Sequence, residues 1–481
     1  TVADEDPNYV YALGIIAGGI LKYVIQSTNG GDSWSQIGFG DPLAMLTFDP
    51  FCQQNGTQTV CQGWYDIAFE VHPKDKNKLF LGGAARFYTW SSATGWLQAA
   101  KAGDFAGVAD YIHADMHHIA FDPTNPEIMY VTCDGGVFKS IDCKKAFPYP
   151  HFLPKNRNLN ITQFYSVAAS KSGEILGGAQ DNGTNFISLR ENSLKASREV
   201  SGGDGFDAEI SKVNPNFHFY SVYNGKYYRS AKKGEGVSSI LTSEIDGWDG
   251  SPSNGEADGV GFFTKFHLLE VLDSAKSFFI GSSGNGRLYI CSNALSIEKL
   301  RWYRLIIGGE GECFASSTNG DVLYVGKNGG VTRISGFRNA QDQFDVNGIP
   351  TSLANLSPVV TYNIPGGGTV YGITVDPKDE NHIVATLGGF GGTNKVFESF
   401  NGGILFTPKQ GNLPVMPCYD AVIDATDAKR VLIASELGMW MTEDITAANP
   451  VWVEANKGVG RVPTFKLRQE NLYTDGCPVI Y

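Results

Sequence analysis

Short apolar runs alternate with polar turns along the whole chain, and one version of that alternation recurs. Residues 121–130 read FDPTNPEIMY: the end of an apolar strand, a polar Asp/Pro/Asn turn, and the start of a second apolar strand. The same phase returns as VADEDPNYVY (2–11), VHPKDKNKLF (71–80), VDPKDENHIV (375–384) and IDATDAKRVL (423–432), with looser copies at 210–219 (ISKVNPNFHF) and 472–481 (LYTDGCPVIY). Strand-length runs bounded by Asp, Pro, Asn and Gly predict antiparallel β-structure. No stretch carries a 3.6-residue apolar period or a heptad, so helix is expected to be scarce.

Weaker units fill the gaps: YSVAASKSGEILGGAQ (165–180), LEVLDSAKSFFIGSSGNGRLYIC (269–291) and CFASSTNGDVLYVGKNGGVTRIS (313–335). Together they place anchors near residues 2, 71, 121, 170, 210, 272, 316, 375, 423 and 472, about nine periods of roughly 40 to 70 residues. Each period reads strand, turn, strand, Gly-Gly turn, strand, and often a fourth strand with Trp. Four antiparallel strands per period describe a blade of a β-propeller. A single blade cannot bury both faces, and stacking blades solves that. The expected fold is therefore all-β: a β-propeller with four-stranded blades, in one large or two tandem propellers. Blades are expected over 1–335 and 370–481, with an irregular excursion or crossover at 336–369. Because the phrase opens at Val2 and closes at Tyr481, the chain reads as starting and ending mid-blade, as a portion of a longer protein.

Composition agrees with this: Gly is 58 of 481 residues and aromatics are 12%, matching Gly turns between aromatic strands. The charge adds a restriction. With 38 basic and 50 acidic residues, the net charge of −12 repels nucleic-acid phosphates and anionic membranes. It suits cations, basic proteins or neutral glycans. No apolar run approaches ~18–20 residues, so the chain is not expected to span a membrane. The eight cysteines include no CxxC, which argues against a zinc ribbon or redox motif. Cys52 and Cys61 flank the loop QQNGTQTV and can close it, and Cys133 and Cys143 flank GGVFKS and can bridge neighbouring strands. An even count leans towards an oxidising compartment, and scattered buried thiols are the alternative.

The turn between third and fourth strands carries a second signature. Residues 27–34 are STNGGDSW and 399–406 are SFNGGILF, a Ser-x-Asn-x-Gly-x-x-aromatic pattern, decayed in SIDCKKAF (140–147) and TEDITAANPVW (442–452). This is the Asp-box, whose polar side chain bonds its own turn and whose aromatic plugs the blade; it marks a fold and not an active site. With it stand GWYDIAFEVHP (63–73), YIHADMHHIAFDP (111–123), CDGGVFKS (133–140), LNITQFYS (159–166), GGAQDNGT (177–184), GGDGFDA (202–208) and VPTFKLRQ (462–469). On these phrases the chain resembles the sortilin-like, Asp-box (BNR) propeller proteins of Bacteroidetes-type bacteria, exported by type IX secretion. More distantly it resembles two-propeller xyloglucan hydrolases, sialidases and sortilin. The resemblance implies a secreted or cell-surface protein whose partners are proteins or glycans at the cell surface, or secretion-system or outer-membrane components.

Acidic and histidine residues cluster just ahead of several first strands: Asp66, then His113, Asp115, His117 and His118, then Asp204 and Asp207, then Asp258, Glu310, Glu312 and Asp420. Loops entering inner propeller strands share one face, so these groups can converge. Three readings compete. Glycoside hydrolysis needs two carboxylates roughly 5–10 Å apart, and Asp66 with Asp115 is the pair expected to be catalytic. A sialidase is disfavoured, because it needs an Arg triad for the substrate carboxylate while Arg is sparse in the candidate loops, and the nearest echo of its Arg-Ile-Pro phrase, GRVPTF, sits at 460–465, near the end. A metal site can form from His113, Asp115 and His117, which alternate along an extended segment; such ligands suit Zn²⁺, and Asp-rich loops suit Ca²⁺. Interblade hydrogen bonds are the structural alternative for the same residues. A Ca or Zn ion is the one cofactor indicated. Third, a binding platform can use Trp64, Tyr65, Gln180, Asp181, Asn182, Asp204 and Asp420 as ligand-binding residues, with Tyr111, Phe206 and Tyr419 as further aromatics. The expected function is a binding, adhesion-type module for protein or glycan, with a β-glucan or xyloglucan hydrolase as the alternative.

Overall fold

The recurrent phrase folds as two nested side-chain-capped turns. In 121–130 the Asp122 carboxylate accepts from the N–H groups of Thr124 (2.9 Å) and Asn125 (3.2 Å), and the Asn125 side chain accepts from Glu127 N–H (3.1 Å). Asp376 with Asp379, and Asp424 with Asp427, repeat both bonds. A short polar side chain thus takes the N–H that the turning backbone leaves without a partner. In the copy at 71–80, His72 stands where the others have Asp. Its Nδ1 accepts from Lys74 N–H at 3.1 Å, which leaves Nε2 to donate to the Pro126 carbonyl at 3.0 Å.

The computed structural model describes residues 1–38, 49–55, 58–102, 111–143, 151–159, 161–188, 197–236, 239–240, 261–470 and 479–481. Asp258 and Cys477 lie outside the described residues. The chain forms two compact units, Thr1–Thr162 and Gln163–Tyr481. The first holds a three-stranded sheet (10–38) and two four-stranded sheets (68–101 and 116–154). The second holds six four-stranded sheets, at 166–201, 208–240, 266–306, 313–363, 370–408 and 418–454. In each of these sheets the strands pair antiparallel with their neighbours in chain order, the order of a propeller blade, interrupted only in the 313–363 sheet by an inserted hairpin. In the first sheet the innermost strand is reduced to one bridge, Val2 to Val10. The 336–369 stretch lies within one blade: the hairpin Gln341–Phe344 with Pro350–Ala354 is inserted before Val360–Asn363, the fourth strand of its sheet. Helix among the described residues is limited to two 3-10 turns, Leu272–Ser274 and Phe337–Asn339. No helix there is long and apolar enough to cross a membrane.

The core lies between blades. One apolar cluster joins Phe80 and Phe87 to Met129 and Val131, another joins Phe278 and Ile280 to Leu323 and Val325, and a third joins Tyr324 to Ile383 and Phe397. Second strands therefore meet neighbours on both faces. Every residue of His218–Val222 and Val322–Lys327 is buried, which is why these runs do not alternate. The two Ser-x-Asn turns, at 27–34 and 399–406, have the same geometry. Ser27 Oγ accepts from Gly31 N–H (2.9 Å) and Asn29 Oδ1 from Ser33 N–H (3.0 Å); Ser399 Oγ accepts from Gly403 N–H (3.0 Å) and Asn401 Oδ1 from Leu405 N–H (2.9 Å). Cys52 and Cys61 form a disulfide across a hairpin. The expected bridge between Cys133 and Cys143 is not formed: neither is in a disulfide, and both are buried. Cys133 Sγ–H donates to the Gly136 carbonyl of its own hairpin and Cys143 Sγ–H to Pro126.

Candidate functional site

In the first unit, a tight turn begins at Gln62, whose carbonyl accepts from the N–H groups of Tyr65 (2.7 Å) and Asp66 (3.1 Å). It leaves Trp64 three-quarters exposed and buries Asp66 completely. The structure brings Asp66 and Asp115 to the same place, with Gln62 Nε2 donating to Asp115 Oδ1. Asp115 sits at φ 60°, a left-handed conformation that a non-glycine residue holds only where its surroundings impose it. Its carbonyl accepts from Asp134 N–H at 3.2 Å. Burial pushes the Asp66 carboxyl up to about 6; Gln62, His117 and Asp115 oppose the rise and Asp134 adds to it. His117 Nε2 bonds Asp134 Oδ1 at 2.6 Å, and the Tyr65 ring meets the His117 ring edge-on at 4.8 Å. His113 packs against Gly135, where even a methyl group would collide with its ring. So His113, Asp115 and His117 do not share one straight strand: the positive φ of Asp115 lies between them, and the register shifts between Met116 and His118. Asp134, in the CDGG phrase, is the member of this group that was not singled out from sequence.

The second unit has a cavity of about 460 Å³ that the inner strand, or the residue just before it, of all six blades reaches. Ser166–Ala169, Ala208–Ile210, Phe266–Val271, Cys313–Ser316, Val370–Asp376 and Cys418–Ile423 lie in succession, linked side by side. Ser166 Oγ accepts from Ala208 N–H (2.9 Å), Asp207 from Phe266 N–H (3.0 Å), Ser316 Oγ meets His267 Nε2 (2.9 Å), and Cys313 Sγ–H donates to Val370 O (3.4 Å). Residues 465–470 enter the same space. Leu467 N–H donates to Asp420 Oδ2 (3.1 Å), Gln469 bonds Ile423 and Ala425, and Arg468 reaches Glu209 at 3.5 Å. Tyr165, Phe262, Phe263, Tyr371, Tyr419 and Phe465 supply an aromatic wall. Tyr165 stacks on Phe465 at 5.4 Å and meets Phe263 at 4.9 Å. A second cavity of about 290 Å³ adjoins the first, with His267, Phe314 and Arg468 lining both; the space ringed by the six inner strands is termed the channel.

The channel carries charge of both signs, mostly paired. Lys265 pairs with Glu312 at 2.5 Å, Lys466 with Asp420 at 3.3 Å, and Arg468 with Glu209 and Asp420. Burial would raise Glu209, but the His267 hydrogen bond and the charges of Arg468, His267 and Lys212 outweigh it and hold the carboxyl at about 2. Burial also works against the charge on Lys265, and Glu312 and Asp207 more than restore it. Asp207 is pushed up by burial, and Glu310 by burial and by Glu312.

The remaining sequence candidates have structural partners. Asp420 is buried and anchors the 465–470 segment. Asp204 accepts from Asp181 N–H at 3.0 Å, and Asp181 lies at φ 61°. Gln180 Oε1 accepts from the hydroxyl of the channel residue Tyr165 at 3.0 Å, and Asn182 donates to the Gln180 carbonyl. Sequence reasoning missed Phe262, Phe263, Lys265, Phe465, Lys466 and Arg468; the phrase VPTFKLRQ held three of them, with no periodic signal to aim them inward.

No protein-family model matches the chain, and no curated protein matches it in sequence. Among solved structures it is similar to the β-propeller domain of Cps50 (Swd1) from Myceliophteria thermophila, at 10% identity and a TM-score of 0.41, over 66% of this chain and 92% of that one. It is also similar to YCF48 from Cyanidioschyzon merolae, at 14% identity and a TM-score of 0.39, over 68% of this chain and 94% of that one. The chain is a β-propeller protein. That assignment rests on its own sheets: among the described residues eight are four-stranded and one is three-stranded, each in blade order, with cores between blades.

Proposed function

We propose that this protein is a binding module whose ligand enters the channel of the six-bladed unit. One observation carries the reading: the cavity of about 460 Å³ lined by aromatic rings and by charged groups. That volume falls in the range of ligand pockets, and rings flanked by oriented charges are what such pockets use to bind and to discriminate. A polypeptide segment is the ligand that uses both features. A secreted or cell-surface setting belongs to the same proposal, supported by the Cys52–Cys61 disulfide and by the paired Ser-x-Asn turns shared with the sortilin-like, Asp-box proteins. The test is a peptide array probed with the full chain and with a Phe262→Ser/Phe263→Ser variant. Wild type is expected to retain a subset of peptides that the variant loses by about tenfold or more. Equal retention by both proteins sinks the channel as the site.

A second reading keeps one observation. Asp66 and Asp115 lie together, and a carboxyl raised to about 6 is in the state that a general acid of a glycoside hydrolase requires. Asp66 is completely buried, so a sugar would reach it only after the site opens. New reducing ends released from xyloglucan by wild type, and not by Asp66→Asn or Asp115→Asn, would establish that activity.

A further inference from the structure

We infer that the group received by the channel is an organic cation, an alkylammonium or guanidinium, seated between the Glu310 carboxylate and the rings of Phe262 and Phe263. The inference rests on the channel being the ligand site and adds the chemistry of what it takes.

The argument is one of charge left over. The Lys and Arg side chains on the cavity are all neutralised by carboxylates within 4 Å, Lys265 by Glu312, Lys466 by Asp420, and Arg468 by Glu209 and Asp420, and His267 is held by Glu209 at 3.3 Å. An anionic ligand would therefore find no cation free to receive it. Two carboxylates on the same cavity, Glu310 and Asp207, form no ion pair among the described residues, and Asp207 spends one oxygen on Phe266 N–H. Both are pushed up from the usual carboxylate range, mainly by burial. Lys466, Arg468 and Lys265 act on Asp207 from a distance, whereas Lys265 acts on Glu310 and the neighbouring Glu312 opposes it, so Glu310 is a partly desolvated acid with no cation in contact among the described residues. A cation entering the cavity supplies that contact.

The rings favour the same guest. Phe262 and Phe263 are each 44% exposed although their neighbour Phe266 is buried, and they stand edge to face at 5.6 Å. An ideal Cβ on Gly261 would lie 3.6 Å from Glu310 Oε1, so this carboxylate borders the backbone that carries the two rings. Aromatic faces carry a negative quadrupole and attract ammonium and guanidinium groups most strongly where water is excluded. Neutral guests gain from the rings but bring Glu310 no countercharge. The net charge of −12 draws cations towards the molecule from a distance.

The closing experiment titrates the full chain with small probes by ligand-observed NMR: choline, methylguanidinium, hexanoate, and 3,3-dimethylbutanol, which has the shape of choline without its charge. The expected result is binding of the two cations, with dimethylbutanol and hexanoate at least about tenfold weaker. Glu310→Gln, with an unchanged circular dichroism spectrum, is expected to weaken choline about tenfold and leave dimethylbutanol unaltered. Phe262→Leu is expected to weaken choline while keeping apolar volume. Equal binding of choline and dimethylbutanol, or preference for hexanoate, overturns the cation and leaves the channel as the ligand site. If no probe binds while the peptide array still separates wild type from the double Phe variant, the cation is again overturned and the channel survives. If both fail, the channel reading falls with it.

Discussion

At the residue scale, His218 shows how burial turns a single ring into a pH-sensitive element. It is completely buried between two blades of the second unit, with the Phe186 ring at 5.1 Å. Burial pushes its pKa from an ordinary 6.5 down to about 4; Lys233 and Arg198 act in the same direction and Glu174 opposes them. The sign follows from linkage. Below pH 6.5 the unfolded chain takes up a proton that the folded chain refuses until about pH 4. The contribution is therefore intact above pH 6.5 and is lost progressively as pH falls to about 4, with about 3 kcal/mol at stake. His218→Phe removes the titration and keeps an aromatic ring. Urea unfolding at pH 7 and pH 4.5 should show wild type losing more stability over that interval than the variant, and parallel losses would show that this ring does not titrate as described.

At the element scale, the turns were the most legible part of the molecule. The phrase around Asp122 and the Ser-x-Asn turn are local, and their bonds join residues two to four apart, so sequence order alone specifies them. His72 shows the limit, because its ring takes over an Asp's acceptor role although nothing in its residue type announces that. Asn401 offers a direct measure of what one such turn contributes. Its Oδ1 accepts from Leu405 N–H and from the Ser399 hydroxyl, both at 2.9 Å. Asn401→Ala removes both bonds, and the expected loss is about 1 kcal/mol, since water can replace part of them at this exposed position. Asn401→Asp keeps the acceptor and should unfold at nearly the wild-type urea concentration. Equal destabilisation by Ala and Asp would mean that the side-chain acceptor is not what holds the turn.

At the scale of the whole molecule, the blades could be read and the channel could not, for one physical reason. A blade pairs strands that follow one another, so periodicity displays it, whereas the channel gathers residues from Tyr165 to Arg468 that share no spacing. The cysteines fall on the same divide. The hairpin pair Cys52–Cys61 was legible from its loop and is bonded, while Cys133 and Cys143 looked equivalent and are not. What separates them is where the sulfurs are held: Cys133 Sγ is turned to Gly136 and Cys143 Sγ to Pro126. Burial pushes the thiols of Cys133, Cys313 and Cys418 up to about 12, which at pH 8 leaves about a thousandfold less thiolate than a free cysteine. Iodoacetamide at pH 8 should therefore leave these three unlabelled in the folded protein. In urea without reductant, the five cysteines of the described residues that are outside the disulfide should label, while Cys52 and Cys61 should label only after reduction. Peptide mass mapping distinguishes the outcomes. Protection of Cys133 and Cys143 in urea that reductant relieves would restore the bridge between them, and labelling of Cys52 and Cys61 before reduction would remove the disulfide that supports an oxidising compartment.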